Sequence, residues 1–236
     1  MAIQYIQCKN EAEIGMKVAQ LFIQQVKSKP NSVLLLATGS SPILTYFNIV
    51  KDHQNNGTDW SKVTTFNLDE YIDINPKYTQ QSYLHFMNEN LFNHINIHKS
   101  NTYFPNPSLV GDKYQQLINS YTGIDLAILG VGVNGHIAFN EPGTLITATT
   151  HIVNLTESSR LANARFFDND INNVPKQAVS VGLKEILHAK KILLVATGEA
   201  KKPAINHLKQ TQDFDQQWPI TALHKHHDVL VFTDFK

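Results

Sequence analysis

Short uninterrupted apolar runs alternate along the chain with segments whose apolar residues recur every three or four positions, a pattern that predicts strands and helices in alternation. Residues 2–7 alternate weakly as a strand does, and Asn10 then caps a helical pattern with Ile14, Val18, Leu21, Phe22 and Val26 on one face, ended by Pro30 and Asn31. Val33 to Ala37 is apolar throughout and too short for a helix; after the turn Thr38-Gly39-Ser40-Ser41-Pro42 a second helix runs through Leu44, Phe47 and Val50. A strand at Val63 to Phe66 and helices over 81–94 and 111–121 lead to the apolar run that opens at Asp125. Beyond it the pattern predicts a strand at His151 to Leu155, a short helix from Ser158 to Phe167 and a polar stretch to Pro175. Apolar strands follow at 178–181 and 191–196, then a helix, then Ile220 to Leu223 and a last strand at Val229 to Thr233. Such alternation predicts a single-domain α/β fold over 1–236: a mostly parallel, Rossmann-like sheet with helices on both faces and right-handed connections.

Sheets of this kind bind ligands beyond the carboxyl ends of their strands, so the residues at those ends are the candidates for chemistry. Thr38, Gly39, Ser40 and Ser41 stand between a strand and a helix start, where backbone N–H groups and hydroxyls suit a phosphate, although an ordinary β–α loop with a good cap has the same composition. Asp69 and Glu70 end the next strand as adjacent acids, a pair more often solvated than catalytic, with Asp69 as a candidate base. The spacing Gly130-x-Gly132-x-x-Gly135 matches a dinucleotide fingerprint, but Pro142-Gly143 follows where that motif needs a helix. These glycines therefore read as close-approach residues beside an acid/base group of Asn134, His136 and Glu141. Lys201 falls in a first helical turn, unfavourable against the macrodipole unless an anion sits beside it. Together these ends suggest proton transfer on a phosphorylated small molecule.

With 236 residues and 42% hydrophobic content, the chain can bury the core of one α/β domain with a modest lid. Twenty basic and twenty acidic residues leave no net charge, so composition offers no footprint for nucleic acid or an anionic membrane. A single cysteine, Cys8, excludes an internal disulfide, and the first nine residues lack a signal-peptide pattern; both point to the cytoplasm. No apolar window is long enough for a spanning helix. Of eleven histidines the densest group is His224-Lys225-His226-His227, without an acid or cysteine at a ligand spacing, so it reads as a polar turn and no metal is expected.

The motifs Phe66-Asn67-Leu68-Asp69-Glu70-Tyr71, Gly135-His136-Ile137-Ala138-Phe139-Asn140-Glu141-Pro142 and Arg165-Phe166-Phe167-Asp168-Asn169-Asp170 together resemble the glucosamine-6-phosphate deaminases, in order and over nearly the whole chain. The resemblance implies isomerisation of D-glucosamine 6-phosphate and loss of ammonia to give D-fructose 6-phosphate, in amino-sugar catabolism, without metal or organic cofactor. By it, Asp69 matches the base that moves a proton between C2 and C1, His136 the group that opens the pyranose ring, and Glu141 the acid that orients that histidine. Thr38 to Ser41, Arg165 and Lys201 match the sugar-phosphate contacts, and 154–178 a mobile lid. Asn134 departs from the longer members, which have an aspartate there; an amide can hold the imidazole but not stabilise it by charge, which leaves that role to Glu141. Related readings are a phosphogluconolactonase, a galactosamine 6-phosphate enzyme, or, without catalysis, a sugar-phosphate-sensing domain. Longer members are hexamers activated by N-acetylglucosamine 6-phosphate through basic residues after the catalytic glutamate; Gly143 to Leu155 has no lysine or arginine, so hyperbolic kinetics and a monomer or small homo-oligomer are expected.

Overall fold

In the computed structural model, which describes residues 3–235, the chain runs β1 (Ile3–Gln7), α1 (Glu11–Ser28), β2 (Val33–Leu36), α2 (Ile43–Asn56), β3 (Thr64–Asn67), β4 (Asp69–Tyr71), α3 (Tyr83–Asn90), β5 (Thr102–Tyr103), α4 (Lys113–Ser120), β6 (Leu126–Gly130), β7 (His151–Asn154), α5 (Glu157–Ala164), β8 (Gln177–Ser180), α6 (Leu183–Leu187), β9 (Ile192–Ala196), α7 (Lys202–Gln210) and β10 (Val229–Thr233). Seven of the strands form one parallel sheet in the order β1-β10-β9-β6-β2-β3-β5. Every residue of β2 and β9 is buried, as a run without polar alternation must be when both faces of its sheet are covered. Edge strand β1 instead keeps part of its surface in water.

Helix α1 begins where the Asn10 side chain accepts the Glu13 N–H, and it buries Ile14, Val18, Phe22 and Val26 at the spacing of one helical face. It crosses α2 so closely that a Cβ on Gly15 would lie 2.5 Å from the Leu44 Cβ, so any larger residue there forces the two helices apart.

Three strands leave the parallel sheet. β4, β8 and β7 make a separate antiparallel sheet in that order, with Asp69 opposite Ser180 and Asn154 opposite Gln177. The strands expected at 151–155 and 178–181 thus exist and pair with each other, but β8 also pairs with β4, three residues with two acids that carry no strand signal of their own. The helix expected over 81–94 is shorter: α3 ends at Asn90, and a 3-10 turn follows at Phe92–His94. Ile220 to Leu223 lies in a 3-10 helix, Pro219–Lys225. Among the described residues, no helix is long and apolar enough to cross a membrane.

Candidate active site

The loop after β6 folds back on itself, the Gly132 N–H donating to the His136 carbonyl at 2.9 Å and the Gly135 N–H to that of Gly132 at 3.0 Å. A Cβ on Gly132 would come within 2.2 Å of the His136 ring, so glycine there is what lets the imidazole lie against the loop. The ring nitrogen Nδ1 is 2.7 Å from Asn134 Oδ1, and Asn134 Nδ2 donates to Glu141 Oε2 at 2.7 Å. Because the amide nitrogen faces a carboxylate, its oxygen must accept, and the neutral imidazole therefore carries its proton on Nδ1 and a lone pair on Nε2. The other Glu141 oxygen, Oε1, accepts from the Ser159 hydroxyl at 2.7 Å. Burial pushes the Glu141 carboxyl up, but His136, at 3.5 Å, with Ser159 and Asn134 overrides it and holds the pKa at about 2. Asn134 thus stands between the histidine and a permanent anion.

Asp69 and Glu70, adjacent on a strand, point to opposite sides and meet opposite environments. The Glu70 carboxylate accepts the N–H groups of Tyr71, Tyr83 and Leu84 at 2.8 to 2.9 Å and so ties β4 to the start of α3. Asp69 is 8% exposed, and no described residue donates a hydrogen bond to its carboxylate. Burial, reinforced by the Glu70 charge, pushes its pKa up to about 8. The apolar wall comes from aromatic rings: Tyr71 and Tyr83 are 4.8 Å apart between centroids, and Phe139 stacks on Tyr83 at 6.2 Å.

The same cavity also carries groups whose chemistry suits an anion. Helix α2 starts without a side-chain cap after Thr38-Gly39-Ser40-Ser41, which leaves first-turn N–H groups available. Lys201 sits at the N-terminal boundary of α7, with burial alone pulling its pKa down and no ion-pair partner among the described residues. Arg165, at the end of α5, is exposed, its guanidinium 4.7 Å over the Phe166 ring. One cavity of about 600 Å³ is lined by Thr38, Gly39, Ser40, Ser41, Asp69, Asn134, His136, Arg165 and Lys201. Glu141 does not line it and stands behind Asn134. Ser159, Tyr71, Tyr83 and Phe139 also line it and were given no role from the sequence; the aromatics carry no polar signature, and only the fold brings the α5 hydroxyl to Glu141.

Two of the histidines near the C-terminus are engaged by backbone carbonyls. His226 Nε2 lies 2.6 Å from the Ala189 carbonyl and His224 Nε2 3.0 Å from that of Leu208. Among the described residues, no group of three or more His, Cys, Asp or Glu is placed to hold a metal ion.

A model for the family of glucosamine-6-phosphate isomerases and 6-phosphogluconolactonase matches residues 9–232. The glucosamine-6-phosphate deaminase of Malacoplasma penetrans is 47% identical, with 98% of this chain and 97% of that protein covered. That of Mycoplasma mycoides subsp. mycoides is 49% identical over 98% and 95%. Among solved structures, a monomeric glucosamine-6-phosphate deaminase superposes with a TM-score of 0.90 at 37% identity, covering 99% of this chain and 97% of the other. A 6-phosphogluconolactonase from Thermotoga maritima shares the fold, with a TM-score of 0.72 at 21% identity and 98% of both chains covered.

Proposed function

The chain belongs to the glucosamine-6-phosphate isomerase/6-phosphogluconolactonase family, and we propose that it converts D-glucosamine 6-phosphate and water to D-fructose 6-phosphate and ammonia, in the catabolism of amino sugars. The observation that carries this reading is the sharing of one cavity by an unpartnered buried carboxylate, an oriented imidazole and an anion-binding end. The phosphate sits against Thr38 to Ser41, Lys201 and Arg165, where cations and helix N–H groups match a dianion. His136 takes the anomeric hydroxyl proton on Nε2 and returns a proton to the ring oxygen, which opens the pyranose to the aldehyde. Asp69, once ionised, removes the C2 proton while O1 takes a proton from solvent, giving a 1,2-enolamine, and then delivers its own proton to C1, leaving a protonated imine at C2. Water adds to that imine and ammonia departs. Glu141 holds the imidazolium formed in passing, through Asn134 and through its own charge. The segment 154–178 acts as a lid whose closure brings Arg165 onto the phosphate. The protein works in the cytoplasm as a monomer or small homo-oligomer, and the reaction calls on no cofactor.

Pure protein mixed with glucosamine 6-phosphate should release ammonia and fructose 6-phosphate in equal amounts without added cofactor. Release of neither product, alongside hydrolysis of 6-phosphogluconolactone, would move the protein to the other branch of its family.

A further inference from the structure

Glu141 is held at two points, and only one comes from its own loop. Asn134 Nδ2 fixes Oε2 at 2.7 Å, whereas Oε1 is fixed at 2.7 Å by the Ser159 hydroxyl of α5. A carboxylate at this pH can only accept, so Ser159 must donate to it; its oxygen in turn accepts from Thr156 Oγ1 at 2.9 Å. The helix does not need this hydroxyl, because Thr156 already caps α5 by accepting the Ser159 N–H at 3.2 Å.

We propose that Ser159 is a positioning residue for ring opening, which by holding Glu141 Oε1 keeps Oε2 on Asn134 and so keeps the His136 proton on Nδ1. The inference rests on the reading of His136 as the ring-opening group. The torsion at a carboxylate's end is broad and nearly two-fold, so one hydrogen bond leaves it free to swing and two fix its plane. Freed of Ser159, Glu141 can swing off Asn134, whose amide can then flip and offer N–H instead of C=O to the ring. The His136 proton would move to Nε2, and the lone pair that accepts the anomeric proton would be lost.

Ser159→Ala should lower kcat about tenfold, the worth of one charge-assisted hydrogen bond, with KM changed less than about twofold. Ser159→Thr keeps the hydroxyl and should restore most of the rate. Ser159→Cys, close in size but a far weaker donor, should follow the alanine variant, and it decides the matter if alanine unfolds the segment. Nitrogen NMR of the His136 ring in the free protein should show the Nδ1–H tautomer in wild type and a growing Nε2–H fraction in Ser159→Ala. An unchanged tautomer, a loss confined to KM, or a threonine variant as poor as alanine would overturn the proposal. The ring measurement needs no turnover: a wild type that releases no ammonia overturns the reaction, while the tautomer still reports on Ser159.

Discussion

Asp69 carries the sharpest consequences at the scale of single residues. With its pKa pushed up to about 8, it is mostly protonated in the free protein at neutral pH, so kcat/KM should rise with pH and level off above about 8. A profile flat from pH 6 to 9 would mean that another group is the base. The same shift acts on stability. Below the usual carboxylate pKa of 3.8 both folded and unfolded states hold the proton, and between there and about 8 only the folded state does, so wild type loses stability as pH rises through that window. Asp69→Asn should therefore lose at least the roughly 10²–10⁴-fold of general base catalysis, while its melting temperature gains on wild type from pH 5 to 8 and then runs parallel to it. Lys201→Ala should lower kcat/KM about ten- to a hundredfold, the worth of a hydrogen bond to a charged group, and spare the slow turnover of any unphosphorylated analogue. Gly132→Ala tests the loop: a methyl 2.2 Å from the imidazole must displace it, so activity should fall while the melting temperature changes little. At this scale the sequence was informative wherever a side chain has one unusual environment. Asp69 opens β4, Lys201 stands at the start of α7 and His136 lies in the loop that follows β6, places that topology alone locates. It was silent about Ser159, because nothing in Thr156 to Arg160 shows which atom lies across from Glu141.

Among elements, β4 shows what a periodicity cannot see. Its strand character comes from pairing with residues more than a hundred positions later, Asp69 with Ser180 and Tyr71 with Ala178, and a three-residue segment has no period of its own to reveal. The strands β2, β6, β9 and β10 were legible because each is a buried apolar run; β5, with two residues, was not. The device that seats β4 is Glu70, whose carboxylate serves three N–H groups at once. Glu70→Ala leaves those part-buried to exposed donors without their acceptor and should cost about 1–2 kcal/mol in urea denaturation; Glu70→Gln, which keeps one acceptor oxygen, should cost less. If the two variants melt alike with wild type, the tie between β4 and α3 is without energetic weight.

At the scale of the whole molecule, regulation is the first question. The stretch Gly143 to Leu155 has no lysine or arginine, and the His151 ring is engaged by the Thr149 carbonyl at 2.8 Å, so a second sugar-phosphate site there would lack its cations. Steady-state kinetics near pH 8 should be hyperbolic and indifferent to N-acetylglucosamine 6-phosphate, and sedimentation should give a monomer or small oligomer. A sigmoidal curve made hyperbolic by that compound would show that the effector uses other residues. The apolar interior itself is in two parts: the large core of the parallel sheet, and a satellite of Tyr71, Tyr78, Phe139, Leu155, Ala164 and Phe167 under α5. The segment above that satellite departs after Asn154 and returns at Gln177, and those two residues face each other across neighbouring strands about 5 Å apart. Its ends are thus held together by the pairing of β7 with β8, and the entropic cost of closing a loop between them grows only slowly with its length, so a shorter connection can replace it. The segment is a cassette. Joining β7 to β8 by a two-residue Asn-Gly turn in place of 156–175 should leave a protein that still melts in one cooperative step, at a lower temperature because the satellite is opened to water. Such a frame would keep Asp69 and His136 and lack Arg165 and Ser159, and different grafts at this one gap would be a route by which a single scaffold changes the molecule it encloses without remaking the elements that carry Asp69 and His136.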